Sequence, residues 1–152
     1  WPTSFCHYNK CNRPTPNNFT IHGLWPDNWT TPIQDCNLGI KVKGVKDDQK
    51  CSDLDKRWPQ LLHTEEFGKE KQPFWKSEYR KHGTCCDNQF NEEAYYDLAM
   101  NLKDRFDIMK ILTNQGITPG TSYTVQKVQD AVRAVTHKLP KVKCVDDPPG
   151  LE

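Results

Sequence analysis

Residues 74–85 read FWKSEYRKHGTC, and the rest of the chain is best understood outward from this stretch. Its pattern predicts a helix over residues 74–82. In such a helix Glu78, Lys81 and His82 stand at i, i+3 and i+4, so a carboxylate, an ammonium and an imidazole share one face. Gly83 then allows close approach of the backbone. Three such groups on one rigid element indicate chemistry on a phosphate.

A second histidine lies in FTIHGLWPD, residues 19–27. The weak alternation over residues 19–24, bounded by Asn and Pro, predicts a short strand. Gly23 follows His22 as Gly83 follows His82. Alone, a histidine in a strand is usually structural, and a Glu-x-x-Lys-His run is often a solvated, salt-bridged face. Together, two imidazoles that titrate near neutral pH favour a general acid paired with a general base.

Paired histidines suit the cleavage of RNA. One removes the proton of the 2′-hydroxyl, which attacks the adjacent phosphorus, and the other protonates the leaving 5′-oxygen. Lys81 would stabilise the charge that gathers on the phosphate oxygens, and Glu78 would orient Lys81 and His82 or hold the proton balance. This chemistry requires no metal or cofactor, and we predict none. His63 and Phe74 are further candidates for substrate binding.

Size and composition set the class of protein. A chain of 152 residues fits one domain, residues 1–152, with a real core. The formal net charge of +1 provides no global field, so contact with a nucleic acid requires a local patch. The sequence has no apolar window long enough for a membrane span. It starts at Trp1-Pro2 without a signal peptide, as a mature protein or a fragment would, and we expect a monomer.

Cysteines and glycosylation triplets favour a secreted protein. Seven cysteines in so short a chain indicate an oxidising compartment, and the absence of a CxxC pair disfavours zinc. Cys6 and Cys11 flank a polar turn and are placed to bridge locally. Asn18 and Asn28 each begin an Asn-x-Thr triplet, so both are candidate glycosylation sites.

The remaining cysteines need distant partners. Cys85 and Cys86 are adjacent and do not easily bond to each other. Cys36 and Cys51 are the available partners, and Cys144 is then left over.

Composition and periodicity divide the rest of the chain. Residues 1–18 are rich in Pro, Asn and Cys and indicate a loop. Residues 37–57 lack an apolar period and indicate an exposed loop, followed by a short helix starting near Asp55; residues 63–72 indicate another solvated segment. Two helices are predicted after Asn91 and Thr124, both of which are good N-caps. The apolar positions of these two helices are Tyr95, Leu98, Ala99, Leu102, Phe106 and Met109, then Val125, Val128, Val132 and Val135.

At these motifs the chain resembles the T2 family of secreted acid-type ribonucleases. Residues 19–27 and 74–85 resemble the two active-site segments of that family. Residues 17–27, 81–86, 96–100 and 119–127 closely resemble the style ribonucleases of nightshade-family plants, which act in gametophytic self-incompatibility. The resemblance runs over nearly the whole chain.

This resemblance implies a fold, a site and partners. The fold is α+β, an antiparallel sheet packed against several helices. His82 is the implied general base and His22 the general acid, with Glu78 and Lys81 on the phosphate and Trp25 lining the nucleotide cleft. Residues 37–57 and 61–72 match the two hypervariable regions and would be the loops that bind a pollen F-box protein. The location would be the extracellular style matrix, with uptake into the pollen-tube cytosol.

The chain also departs from the family pattern. Ser77 stands where many members have a third histidine, which predicts weaker phosphate binding. Gly68 replaces a cysteine usual in the nightshade group, so the resemblance implies pairs Cys36–Cys85 and Cys51–Cys86. The family has a strand before Trp1 and more strands and cysteines after residue 144, so we expect a partial chain in which Cys144 is unpaired.

The residues leave a second class of function open. The first hypothesis is an endoribonuclease that cuts single-stranded RNA through a 2′,3′-cyclic phosphate and rejects self pollen. The alternative is a recognition module with weak or lost catalysis that binds the F-box protein through its charged segments. A defence or phosphate-scavenging ribonuclease would share the chemistry but not the partner.

Overall fold

Helices dominate the part of the chain that the computed structural model describes, residues 1–28, 30–146 and 149–151, with side chains as far as residue 143. The helices are α1 (Pro2–Tyr8), α2 (Asp48–Arg57), α3 (Glu65–Lys71), α4 (Pro73–Lys81), a 3-10 helix (Gly83–Cys86), α5 (Glu92–Arg105), α6 (Ile108–Asn114) and α7 (Val125–Thr136). The strands β1 (Cys144–Asp146) and β2 (Pro149–Leu151) pair antiparallel, with Cys144 opposite Leu151. None of the described helices is long and apolar enough to cross a membrane.

The expected antiparallel sheet packed against the helices does not form in the described residues. Their strand pairing consists of β1 with β2 and one isolated bridge between Asp27 and Pro32. Residues 19–24, predicted as a strand, run without regular secondary structure. The physical reason is that backbone groups of this segment bond to helices and to a helix-borne tyrosine, as described below, and not to a neighbouring strand.

The helix predicted over residues 74–82 forms where the sequence predicts it, as α4. Pro73 stands in the first turn of α4, where its fixed φ suits a helix start. Trp75 and Tyr79 are buried on its inner face. His82 is the C-cap, and its backbone N–H still bonds to the carbonyl of Glu78 at 2.8 Å.

Two segments predicted as exposed loops contain helices. The Asp47 side chain caps α2 and Thr64 caps α3, each accepting a backbone N–H of the first turn. The helix expected to start near Asp55 instead ends at Arg57. Asp55 is 3% exposed and receives both terminal nitrogens of Arg13, at 2.7 and 2.8 Å, so a buried ion pair stabilises a polar sequence as a helix.

The other helices show both successes and errors of the prediction. The loop expected over residues 1–18 contains α1. Asn91 and Thr124 are N-caps as predicted, each accepting a backbone N–H three residues on. The apolar stripe after Asn91 is divided between α5 and α6. In α7 the ends of the stripe, Val125 and Val135, are 38% and 45% exposed.

The described side chains form two buried clusters. The first joins α2, α4 and α5 around Trp58, Trp75 and Tyr96, all fully buried. The second joins α6 and α7. Ile21 packs on the first cluster and Phe19 on the second, so the segment that leads to His22 lies along both.

Two disulfides fix the chain around these clusters. Cys6 is bonded to Cys11, and Cys36 to Cys85. The expected Cys51–Cys86 bond is wrong, because both are free thiols. The Cys51 sulfur lies 3.6 Å from the carbonyl of Lys69, so it faces α3 and not the 3-10 helix that holds Cys86. The expectation for Cys144 concerns a side chain outside the described part.

Candidate active site

The extended segment that carries His22 is held by three hydrogen bonds from the helical core. The donor and acceptor pairs are Ile21 N to Arg57 O at 2.8 Å, Trp58 Nε1 to His22 O at 3.0 Å, and Tyr95 Oη to Leu24 O at 2.7 Å. Trp58 is fully buried and Tyr95 is 2% exposed. The backbone on either side of His22 is therefore fixed by rigid groups, although the imidazole itself is exposed.

Trp25 brings the two histidine motifs together. Its ring centroid lies 5.2 Å from that of His22, in an edge-on arrangement, and 5.4 Å from that of His82. Its Nε1 donates to Glu78 Oε2 at 3.1 Å. The two imidazoles and the carboxylate predicted from the sequence thus surround one indole, although the motifs are far apart in the chain.

Gly23 makes this arrangement sterically feasible. A methyl group at its Cα would lie 2.2 Å from Trp25 Nε1 and 2.6 Å from Glu78 Oε2. Both distances are far below van der Waals contact, so a side chain at this position would force the indole and the carboxylate apart. The requirement is for space, because Gly23 is not among the residues with positive φ.

The environment of His82 favours a neutral imidazole. Its side chain is buried, and its Nδ1 has no hydrogen-bond partner among the described residues. Burial and the neighbouring charge of Lys81 lower the pKa of His82, while the backbone of Ile33 and the carboxylate of Asp35 act in the opposite direction. The net direction is downward, which suits a group that must accept a proton.

Glu78 has the opposite perturbation. Burial raises the pKa of Glu78, whereas the hydrogen bond from Trp25 and the charge of Lys81 partly oppose this rise. Trp25 and Lys81 therefore favour the carboxylate form of Glu78, although its side chain is half-buried. Lys81 itself is exposed at the end of α4.

A cavity of about 370 Å³ adjoins His22. Phe74 and His63, the two further candidates for substrate binding, both line it. Its other walls are mainly apolar and come from the start of the chain, the turn after α2 and the start of α4: Trp1, Phe5, Pro59, Gln60, Leu61, Leu62 and Pro73. The structure therefore places all three predicted substrate-binding residues near His22. Phe74 and His63 share this cavity with His22, and the ring of Trp25 lies against the imidazole.

One contact at the site was not foreseen from the sequence. The indole of Trp1 stacks on the imidazole of His22, with centroids 3.6 Å apart and an angle of 11° between the planes. A tryptophan before a Pro-Thr-Ser run, in a segment expected to be a loop, gave no signal of this role. Only the helix α1 places it at the site.

Ser77, Asn18 and Asn28 are all exposed. Ser77 therefore lies on the solvent side of α4. The Asn28 side chain accepts the backbone N–H of Thr31 at 2.9 Å, which forms a local turn. Both asparagines are accessible for a glycan, and their glycosylation stays a prediction.

Comparisons with known proteins give the family of this chain. The Ribonuclease T2 family model matches residues 1–152, and the chain belongs to that family. It is 49% identical to Ribonuclease S-7 of Nicotiana alata over 146 residues, which cover 95% of this chain and 66% of that protein. The chain thus spans just under two thirds of the length of this relative. The resemblance drawn from the motifs is confirmed.

Solved structures show the same T2 ribonuclease fold. The crystal structure of the self-incompatibility-associated SF11-RNase of Nicotiana alata superposes with a TM-score of 0.92 at 43% identity, covering 99% of this chain and 78% of that one. A mutant of ribonuclease MC1 in complex with 5′-GMP superposes with a TM-score of 0.78 at 29% identity, covering 99% and 80%. Both structures share the fold of this chain, although one is 43% identical to it in sequence and the other 29%.

Proposed function

We propose that this chain is an endoribonuclease that cleaves single-stranded RNA by transphosphorylation through a 2′,3′-cyclic phosphate. The observation that carries the proposal is the grouping of His22, His82 and Glu78 around Trp25, beside Lys81. Membership of the Ribonuclease T2 family supports it. So does the match of the family model over residues 1–152, which favours one catalytic domain.

The lowered pKa of His82 favours the role of base for that residue, which leaves the role of acid to His22. Neutral His82 accepts the proton of the 2′-hydroxyl, and the oxygen attacks the adjacent phosphorus. Protonated His22 gives a proton to the 5′-oxygen as the bond from phosphorus to that oxygen breaks. The products are a 2′,3′-cyclic phosphate and a free 5′-hydroxyl, and the two histidines have exchanged their protonation states. Proton exchange with the solvent restores them, as does attack of water on the cyclic phosphate with His22 as base and His82 as acid.

Lys81 and Glu78 complete the phosphate site. Lys81 follows Glu78 by three residues on α4, so both serve the same phosphate. A fixed cation stabilises the negative charge on the phosphate oxygens more strongly in the transition state than in the ground state. Glu78, held by the hydrogen bond from Trp25, fixes the positions of Lys81 and His82 relative to each other. The cavity lined by Phe74 and His63 accepts a base next to the scissile phosphate.

One assay tests this proposal. Cleavage of a single-stranded RNA is measured with EDTA present, for the wild-type chain and for His22→Ala, His82→Ala and His7→Ala. His7 is an exposed histidine on α1 and serves as the matched control. We expect activity in the wild type and in His7→Ala, and its loss in the other two. A wild type no more active than His82→Ala would sink the enzyme proposal, and loss of activity with EDTA would sink the metal-independent mechanism.

We further propose that the protein acts in self-pollen rejection, secreted into the style as a monomeric glycoprotein and taken up into pollen tubes. Support comes from relatives named as S ribonucleases and from the SF11-RNase structure, whose name states its association with gametophytic self-incompatibility. The partner would be a pollen F-box protein that contacts residues 37–57 and 61–72. Transgenic styles that express the wild type should block pollen of one haplotype, and styles with His82→Ala should not.

The recognition module remains the second candidate because of one residue. Ser77 supplies no imidazole at a position where many T2 ribonucleases have one. If His82→Ala styles still reject the same pollen, binding and not RNA cleavage is the function, and this second candidate replaces the first. Rejection of no pollen by active wild-type protein would instead favour a defence or phosphate-scavenging ribonuclease.

A further inference from the structure

The stack of Trp1 on His22 has an unusual geometry for two neutral rings. The ring centroids are 3.6 Å apart and the planes are nearly parallel, at 11°. Neutral aromatic pairs prefer an offset or edge-on arrangement with centroids about 4.5–7 Å apart, because the faces of both rings are negative. A cation, in contrast, is attracted to the centre of an indole face. The flat, centred stack is therefore the arrangement that suits a protonated imidazole.

Separate elements hold the two rings. The carbonyl of Trp1 accepts the backbone N–H of Phe5 at 2.9 Å, and the ring of Phe5 lies 4.5 Å from that of Trp1. The disulfide from Cys6 ties the end of α1 to the chain that follows. On the other side, Trp58 binds only the carbonyl of His22. The imidazole has two ring neighbours, Trp1 stacked on its face and Trp25 at a steep angle to it.

The other imidazole of the site has no such flat partner in the described structure. The ring of His82 meets Trp25 at 5.4 Å with a tilt of 37°. Burial and Lys81 lower its pKa. The two histidines therefore lie in environments of opposite preference, which is how an enzyme separates a base from an acid of the same residue type.

We propose that Trp1 is a positioning residue for His22: its indole face holds the imidazole in place and favours the protonated form that a general acid needs. This inference rests on the proposed ribonuclease function for its catalytic consequence, but not for its effect on His22. The titratable groups near His22 in the described part of the chain include His63, which shares the cavity, and Glu78 and His82, which also contact Trp25. Substitution of Trp1 retains the side chains of all three groups.

Titration of His22 by NMR, in the full chain, tests the inference directly. Trp1→Leu keeps an apolar side chain over the imidazole but removes the aromatic face, so burial changes little and the cation–π attraction is lost. We expect the pKa of His22 to fall by about 0.4–0.7 unit, from the usual strength of such contacts at exposed sites. In Trp1→Phe, which keeps a weaker aromatic face, the pKa of His22 should fall less. Trp1→Phe is also the variant to use if Trp1→Leu does not fold.

Tyr8→Leu is the matched control, since Tyr8 is an aromatic residue of the same helix, is 60% exposed and lies outside the cavity lining. It should leave the titration of His22 unchanged. An unchanged pKa of His22 in both Trp1 variants would overturn the proposal, as would an equal fall in Tyr8→Leu.

The pH–rate profile provides the readout that a purely structural role would not move. In Trp1→Leu, kcat should fall and the basic limb of the profile should move to lower pH by the same amount as the pKa of His22, with a smaller change in KM. A shifted titration with an unchanged profile would refute the positioning role. A wild type without activity but with the expected shift of titration would refute the proposed function and leave the effect of the stack standing.

Discussion

Replacing Gly23 by alanine tests the geometry of the site with one methyl group. The new Cβ would lie 2.2 Å from Trp25 Nε1 and 2.6 Å from Glu78 Oε2. Either the backbone or the indole must move. Trp25 is 53% exposed, whereas the flanking backbone is held by buried groups, so the indole should swing outward. The hydrogen bond from Trp25 to Glu78 is then lost, together with the contacts of the indole to both imidazoles.

The magnitude follows from that hydrogen bond. A hydrogen bond to a charged group contributes about 1.5–3 kcal/mol, and each 1.4 kcal/mol is a factor of ten in rate, so kcat/KM should fall roughly 10- to 100-fold. The free energy of unfolding should fall less, by about 1 kcal/mol, because an exposed indole can move into solvent without opening the core. The loss in activity should therefore exceed the loss in stability.

The assay combines RNA cleavage kinetics with urea denaturation, and Gly39→Ala is the matched control. A Cβ at Gly39 would meet only Asn37 Oδ1, at 3.8 Å, an ordinary contact. In a Trp25→Ala background, Gly23→Ala should cost far less, because the group it displaces is already gone. Activity of Gly23→Ala equal to that of Gly39→Ala would refute the reasoning, as would an undiminished effect in the Trp25→Ala background.

Three further predictions concern the phosphate site and the ion pair of α2. Lys81→Gln should lower kcat/KM by about 10²–10³-fold. Since Lys81 lowers the pKa of His82, the acidic limb of the pH–rate profile should also move to higher pH in this variant. An acidic limb that stays in place would contradict this. Ser77→His should lower KM for RNA by adding a phosphate donor one turn before Lys81; an unchanged KM would show that the serine costs nothing. Arg13→Met leaves the carboxylate of Asp55 buried without its partner and should reduce the free energy of unfolding by about 3 kcal/mol in urea denaturation, whereas a loss near zero would mean that water replaces the guanidinium.

Local signals made α4 and its polar face predictable. Glu78, Lys81 and His82 depend only on helical spacing within nine residues, and the apolar Trp75 and Tyr79 fix which face is buried. Asn91 and Thr124 were equally readable because capping involves backbone groups only three residues away. The grouping of both histidines was inferred from their chemistry, and in the structure the rings of both lie close to that of Trp25, at 5.2 and 5.4 Å.

Long-range partners made the rest unpredictable. Residues 37–57 look like a solvated loop because the buried side of α2 includes the charged Asp55, whose partner Arg13 is 42 residues away. Residues 19–24 look like a strand because they are extended and partly apolar. Their backbone instead bonds to the end of α2 and to Tyr95, a side chain that no local pattern connects with them. Trp1 reaches His22 only because α1 forms.

Residues 37–57, proposed above as a segment that binds a partner, therefore also support the candidate site. The end of α2 carries Trp58, which binds the backbone of His22, and the inner face of α2 packs in the same cluster as Trp58. Only the exposed positions of residues 37–57 are free to change for a partner without moving His22. Those positions lie mainly at residues 37–39, 46, 48 and 49, because Asp47 is exposed but caps α2.

Two leucines of this one segment separate its two tasks. Leu38 is 66% exposed and Leu54 is fully buried against the core. Leu54→Ala should cost about 2–5 kcal/mol of unfolding free energy, and it should slow RNA cleavage even where the chain remains folded, because Trp58 loses a neighbour and relaxes its hold on His22. Leu38→Ala makes the same chemical change and should alter neither quantity, so any effect it has on binding a partner belongs to recognition alone. Equal losses of stability in the two variants, or full activity in folded Leu54→Ala, would show that the segment does not support His22.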